Sequence, residues 1–390
     1  MTDIVIEKVN SVSNKIHCEP AIARELYEYF TFQTPGARFN PLVRAKKWDG
    51  KIHLFHTGTQ MLYGGLNHYV DQFAQERNYS MAALEGHDFE DTPFTEEQAK
   101  AFCDKLELTM EVRDYQLKTF VDAIQKRRRL FLSPTASGKS FMIFLTLMYT
   151  LMETKGRALV IVPTTALVHQ MVSDFQSYTK KDVRSMCQKI MEGYNTDITS
   201  RIVVSTWQSI YKMPRKWFDE FRVVVGDEAH LYKAKSLTTI LGKLQHCDYR
   251  YGYTGTLDGQ HVHRLVLEGI FGPVVKFVST AQLIEAGHLA NFKINCIVLK
   301  HTEEERKLMK NATYADEIDW LVRHNARNKF ITKLARSLKG NTLVLFQFVD
   351  KHGKALYDQL AGNENVYFIH GNVDADIRED VRKIVETQTN

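Results

Sequence analysis

From about residue 109 onward the chain keeps a regular rhythm of short apolar runs separated by longer amphipathic stretches. The runs at 130–133, 158–162, 202–205, 223–227 and 250–254 are bounded by turn residues and are too short for helices. Such runs predict strands buried in a parallel sheet. Helices are predicted directly after residue 138, from Thr165 and around Ser236, so strands and helices alternate as in a parallel α/β layer. A second unit of the same kind is expected from about residue 291. Its predicted strands lie at 294–299, 342–346 and 366–369, and its helices at 318–338 and 351–360. Before residue 109 the pattern differs. Ile4-Val-Ile-Glu-Lys-Val alternates like a strand, and an amphipathic helix is predicted over 21–30, after Pro20. Residues 87–105 are acidic and polar, then helix-like, and are expected to form a linker. The expectation is an α/β protein with a small α+β domain at 1–108, a complete parallel-sheet domain at 109–288 and an incomplete one at 289–390.

Composition narrows this only a little. Apolar residues make up 44% and charged residues 25% of the 390 residues, as in an ordinary globular protein of two or three domains. The net charge of +5 permits a nucleic-acid partner without requiring one. No run approaches the roughly 18 apolar residues of a membrane span. The N-terminus lacks the basic-then-apolar plan of a secretion signal, so a cytoplasmic protein is expected. Cys18, Cys103, Cys187, Cys247 and Cys296 are scattered, which points to neither a zinc site nor a disulfide framework.

Inside the acidic N-terminal domain lies one basic stretch. Arg38, Arg44, Lys46, Lys47 and Lys51 are opposed only by Asp49, and Trp48-Asp-Gly-Lys51 suggests a tight turn into a strand. Two readings stand side by side: a phosphate-contacting face with Trp48 free to stack, or a solvated hairpin with Trp48 in the core.

The densest chemistry sits at Leu130-Phe-Leu-Ser-Pro-Thr-Ala-Ser-Gly-Lys-Ser140. A strand, a loop of small residues and Gly-Lys-Ser at a helix start form a phosphate cradle, because loop N–H groups and the helix dipole both favour an anion there. Lys139 would reach the β- and γ-phosphates and Ser140 would offer its hydroxyl to Mg²⁺. Gly-Lys-Ser/Thr alone recurs by chance in roughly one in five chains of this length, and Ser133 stands where the usual pattern has glycine. A second signal is therefore needed. Val223-Val-Val-Gly-Asp-Glu-Ala-His230 supplies it: an apolar strand ending in two acids at the sheet edge where ligands bind. Asp227 would hold Mg²⁺, and Glu228 would orient and deprotonate the attacking water.

Gly-Lys-Ser followed by Asp-Glu-Ala-His resembles the superfamily 2 helicases and translocases, and further motifs follow in that family's order. Arg113-Asp-Tyr-Gln116 resembles the segment whose Gln reads adenine. Thr164 and Thr165, within Val162-Pro-Thr-Thr-Ala-Leu-Val-His-Gln170, and Thr206, Trp207 and Gln208, within Ser205-Thr-Trp-Gln208, resemble its strand-contacting motifs. Thr254-Gly-Thr256 resembles the motif that couples hydrolysis to movement, with His230 as its partner. The resemblance implies a RecA-like core and Mg²⁺-ATP. It implies a nucleotide contact set of Arg113, Gln116, Ser133, Pro134, Thr135, Ala136, Ser137, Gly138, Lys139 and Ser140.

A narrower resemblance rests on Phe39-Asn-Pro, Trp48-Asp-Gly, Pro163-Thr-Thr-Ala-Leu, Ser205-Thr-Trp-Gln and Phe271-Gly, with Leu283 and Gly287. These are similar to the UvsW recombination helicases of T-even-type phages. That family implies an ATP-driven 3′-to-5′ DNA helicase acting on Holliday junctions, stalled forks and R-loops. Its setting would be phage recombination, replication and repair in the host cytoplasm, with recombinase and single-strand-binding proteins as partners and a monomeric motor. Its N-terminal module serves substrate recognition, which favours the phosphate-contacting reading of Arg44, Lys46, Lys47, Trp48 and Lys51. The family's Gln-x-x-Gly-Arg-x-x-Arg motif does not follow Arg378. The expectation is that the chain is a truncated piece that binds ATP but turns over feebly by itself, since a missing arginine finger costs roughly 10³–10⁵ in rate. A DEAH-type RNA helicase, a restriction-type DNA translocase and a nucleotide-gated DNA-binding module are the alternatives.

Overall fold

A computed structural model of the chain describes residues 2–34, 36–84, 91–231, 234–257, 261–290, 292–362 and 365–387. They form two compact units, Met1–Asn291 and Phe292–Asn390.

The first unit opens with a four-stranded sheet of β1 (Ile4–Lys8), β2 (Ser13–Cys18), β5 (Met61–Tyr63) and β6 (Met81–Ala83), in the order β5-β2-β1-β6. Between β2 and β5 lie helix α1 (Pro20–Tyr29) and the pair β3 (Thr31–Gln33) and β4 (Lys51–His53), with the single turn α2 (Pro41–Arg44) between these two strands. Helix α3 (Asn67–Arg77) covers the sheet. Ile4, Ile6 and Ile16 alternate inward from β1 and β2 and meet Leu26, Phe30, Val70 and Phe73 from the helices.

Helix α4 (Glu96–Lys105), in the stretch expected to be a linker, is instead part of the core. Its capping box at Thr95 and Gln98 fixes its start. Its Phe102 and Cys103, with Phe94, then bury against Phe120 of α5 (Asp114–Lys126). The polar composition that suggested a linker occupies only its solvent face, and residues 85–90 lie outside the described ones.

The main sheet follows, with β7 (Arg128–Leu132), β8 (Arg157–Val162), β9 (Cys187–Ile190), β10 (Ile202–Thr206), β11 (Phe221–Gly226), β12 (Tyr249–Thr254) and β13 (Val274–Val275). All pairings are parallel, in the order β13-β7-β12-β11-β8-β10-β9. The five predicted strands are its centre, and the short edge strands β9 and β13 are additions. Helices α6 (Lys139–Glu153) and α7 (Thr165–Ser177) follow β7 and β8. Beyond β10 come α8 (Trp207–Ile210), α9 (Arg215–Phe218), α10 (Ala234–Lys243), α11 (His261–Phe271) and α12 (Thr280–Glu285).

Two contacts organise this unit. Arg250 of β12 is fully buried, and its guanidinium donates to the carbonyls of Leu241, Leu244 and Ile270 at 2.8–3.0 Å. A cation is thus placed at the carbonyl ends of α10 and α11, where helix dipoles favour it. Gly65 sits against α11 so closely that a Cβ there would lie 2.0 Å from the Glu268 carbonyl oxygen. The Glu268 side chain, itself buried, accepts from Arg264 Nε at 2.7 Å. The turn after β5 and helix α11 therefore meet backbone to backbone.

In the second unit the expected strands are not assigned among the described residues. The segments at 294–299, 342–346 and 366–369 run without ladder pairing, and Val298, Leu343 and Leu345 are 78%, 82% and 81% exposed. A parallel strand has no hairpin neighbour to register it and depends on cover over both faces. Among the described residues the α-helices are α13 (Glu303–Met309), α14 (Tyr314–Arg323), α15 (Asn325–Ser337), α16 (Lys354–Leu360) and α17 (Ala375–Thr387). The single helix predicted over 318–338 is broken at His324, whose Nδ1 accepts from the N–H of Arg327 and caps α15. Its Nε2 must then carry the proton, which goes to Glu305 at 2.8 Å. The meeting of His301, Glu305 and His324 is accordingly a helix cap with its hydrogen-bond partners.

Candidate nucleotide site and nucleic-acid face

The loop after β7 is held by the neighbouring strand: the N–H of Ser133 donates to the Thr254 carbonyl at 2.8 Å. Ala136 and Gly138 have φ of 61° and 80°, the left-handed conformation that turns the chain back into α6. At Gly138 only glycine fits, because a Cβ would stand 2.5 Å from Gln116 Nε2. Helix α6 is anchored by the fully buried Phe141, Ile143, Leu145 and Leu147. Its start leaves the N–H groups of Lys139 and Ser140 without intrahelical acceptors, aimed into the loop. Ser137 adds a buried hydroxyl with no hydrogen-bond partner. These donors fit a polyphosphate.

Lys139 Nζ forms an ion pair with Glu228. Glu228 is itself in a left-handed conformation, φ 48°, and its N–H donates to Asp227 Oδ1 at 3.0 Å. The two carboxylates differ in setting. Asp227 is 7% exposed, and burial pushes its carboxyl up to about 6, with Glu228 adding to the rise and Lys139 opposing it. A divalent cation beside Asp227 would remove that cost, so Asp227 and Ser140 fit Mg²⁺. In the structure Ser140 Oγ is 2.6 Å from the hydroxyl of Tyr178 and also hydrogen-bonds Asp174, whose pKa burial raises. Tyr178 and Asp174 carry no motif, and only the packing of α7 on α6 finds them.

Gln116 is buried and braces the loop. Its Oε1 accepts from the N–H of Arg113 at 3.0 Å, and its Nε2 donates to the Ser137 carbonyl at 3.1 Å. Tyr115, which sequence reasoning passed over, donates to the same carbonyl at 2.9 Å and accepts from Arg113 Nη1. Beyond Glu228, His230 Nδ1 lies 2.6 Å from Thr254 Oγ1, and that hydroxyl donates to the carbonyl of Thr256 at 2.7 Å. Since one hydroxyl has one proton, His230 must be the donor to Thr254.

Residues expected to meet nucleic acid divide into two groups. Thr164 and Thr165 are exposed at the start of α7, where Thr164 Oγ1 caps the helix by accepting from Leu167 N–H. Gln208 is exposed too. Thr206 is buried with its hydroxyl 2.9 Å from Ser209 Oγ, and Trp207 is half-buried against the core that the main sheet shares with the N-terminal domain. In the N-terminal domain Arg44, Lys46, Lys47 and Lys51 are all exposed. Trp48 is half-buried and donates its indole N–H to the Lys51 carbonyl at 2.8 Å, which braces the turn.

A parallel sheet with a phosphate cradle after one central strand and Asp-Glu-Ala-His at the end of another defines the ATP-binding lobe of a helicase-type ATPase. Comparison with known proteins narrows the class. Residues 109–259 match the family model "Type III restriction enzyme, res subunit", and residues 3–83 match "DNA helicase UvsW, N-terminal". The ATP-dependent DNA helicase uvsW of Enterobacteria phage T4 is 33% identical over 383 residues, covering 95% of this chain and 76% of that protein. The DNA 3′-5′ translocase XPB2 of Sulfurisphaera tokodaii is 28% identical over 202 residues, 51% of this chain and 42% of its own. The crystal structure of T4 UvsW superposes with a TM-score of 0.65 at 31% identity, covering 99% of this chain and 78% of that one. The chain belongs to the UvsW family of ATP-dependent DNA helicases. Among the described residues no helix is long and apolar enough to cross a membrane.

Proposed function

We propose that this chain is an ATP-driven motor on branched DNA, with residues 1–108 recognising the branch, 109–288 binding ATP and 289–390 belonging to a second RecA-like lobe. The observation that carries the branched-DNA reading is the exposed cationic turn at Arg44, Lys46, Lys47 and Lys51, on a domain fixed to the ATP-binding lobe through Gly65. The 3′-to-5′ direction is supported by the name of the archaeal relative. The setting is phage recombination, replication and repair in the host cytoplasm.

Mg²⁺-ATP, when bound, supplies the phosphoanhydride whose cleavage drives the cycle. The loop at 133–138, Lys139 and Ser140 hold the phosphates, and Ser140 and Asp227 hold the cation. Arg113 and Gln116 brace the loop beside the base. Lys139 must leave Glu228 to meet a phosphate, and the freed Glu228 carboxylate then accepts the proton of the attacking water. His230, Thr254 and Thr256 pass the change to the next strand end. Thr164, Thr165 and Gln208 lie along the path of the DNA strand.

The test is phosphate release by the chain with a four-way DNA junction, a linear duplex and an RNA hairpin. The junction is expected to stimulate most, and changing Arg44, Lys46 and Lys47 together to Ala should weaken junction binding and flatten its salt dependence. Strongest stimulation by RNA, or none favouring the junction, would overturn the reading.

A further inference from the structure

The basic turn has an apolar tip, which neither the motifs nor the comparisons assign. Phe39 is 61% exposed and Leu42 is 52% exposed, and neither belongs to the core cluster beneath them. Both sit on rigid backbone. A 3₁₀ turn over Ala37–Phe39 runs into α2, where Asn40 Oδ1 accepts from Leu42 N–H at 2.9 Å and Pro41 occupies the first helical position. The turn closes as a Schellman motif, with Lys46 left-handed at φ 55°, its N–H on the Val43 carbonyl and the N–H of Lys47 on the Leu42 carbonyl at 2.8 Å. Beneath the tip, Gly50 packs so tightly on Ala37 that a Cβ would lie 2.9 Å from it. The ring of Phe39 is therefore held out into solvent by a fixed scaffold.

Its surroundings state the partner's chemistry. The Arg38 guanidinium lies 4.7 Å from the centre of the Phe39 ring, and Arg44, Lys46 and Lys47 are exposed on the turn that follows it. An aromatic face framed by cations suits a flat base whose own phosphates are anionic. Trp48, the aromatic that the sequence offers for stacking, is half-buried and held in the turn by its bond to the Lys51 carbonyl, so the more exposed ring of the two is the one at 39.

We propose that Phe39, backed by Leu42, is a wedge that stacks on the base left open at a DNA branch point, while Arg44, Lys46 and Lys47 hold the flanking phosphates. Apolar wedges of this kind partly unstack a base step, at a cost that is least where pairing has already ended. The proposal rests on the branched-DNA reading above and assigns its structural selectivity to one ring.

The experiment compares binding of the full chain to a DNA fork with unpaired arms and to a fully paired duplex of the same length. Phe39→Ala is expected to weaken fork binding about tenfold or more and to leave duplex binding within about twofold, since base stacking on an aromatic carries that much. Phe39→Trp should restore the fork preference, and Leu42→Ala should lose part of it. An unchanged thermal midpoint is expected for each variant, because these side chains lie outside the core. Unchanged fork affinity in Phe39→Ala, or equal loss on fork and duplex, overturns the wedge. If the Arg44, Lys46 and Lys47 triple variant still weakens both DNAs in that case, the basic patch stands without it. If the triple variant binds normally, the patch reading fails and the wedge with it.

Discussion

His230 donates to Thr254 across 2.6 Å, and that contact ties the end of one central strand to the end of the next. Thr254 in turn holds the Thr256 carbonyl and, through its own backbone carbonyl, the first N–H of the phosphate loop. Removing either partner should spare folding and nucleotide binding while costing strand separation tenfold or more relative to hydrolysis. A double-mutant cycle of His230→Ala and Thr254→Ala, read by unwinding, should show the pair losing no more than the worse single change. Additive losses would separate the two residues.

The buried carboxylate of Asp227 makes a pH prediction whose sign is definite. Its pKa in the folded chain, about 6, lies above the ordinary Asp value. The folded state therefore binds more protons between about pH 4 and 6, and stability contributed by this group falls as pH rises through that window. Asp227→Asn should raise the stability of the nucleotide-free chain at pH 7 by about 1–3 kcal/mol, while abolishing Mg²⁺-dependent hydrolysis. Mg²⁺ binding by the wild-type chain should weaken as pH falls through about 6, because the cation must displace that proton. A destabilised Asn variant in thermal melts would contradict the burial argument.

Lys139→Ala should leave the fold intact, because Glu228 remains about a quarter exposed and loses only a partner in reach of water. Hydrolysis should fall at least about a hundredfold, since a preorganised cation on the developing charge is removed. Circular dichroism together with phosphate release separates this from a structural role.

Arg250 tests the frame behind the site. Arg250→Met would leave the carbonyls of Leu241, Leu244 and Ile270 buried without their donor, at about 3 kcal/mol or more in all. Arg250→Lys should recover only part, because one ammonium cannot reproduce the planar fork. Denaturant midpoints of the two variants, in that order below wild type, are the expected outcome.

How far these features could be read beforehand follows their physics. The central strands announce themselves as apolar runs, and the Lys139, Ser140, Asp227 and Glu228 chemistry requires fixed residue types at fixed places. The edge strand Cys187–Ile190 carries Gln188 and Lys189 and reads as a loop, because an edge needs cover on fewer sides. The role of Arg250 within the predicted strand 250–254 is not legible, since its acceptors come from helix ends distant in sequence. Phe39 enters the sequence reading only as part of Phe39-Asn-Pro, and only the folded turn shows the ring outside. The helix Glu96–Lys105 reads as linker because its charges are visible in the sequence and its buried face is not.

The absence of any side chain at Gly65 has a mechanical meaning. At that position backbone rests on backbone, so no rotamer can give way between α11 and the turn after β5. The N-terminal domain therefore sits directly on the ATP-binding lobe at this point, with no side chain as a spacer. If residues 1–108 hold a DNA branch, as proposed, a shift of that lobe would reach it through this contact.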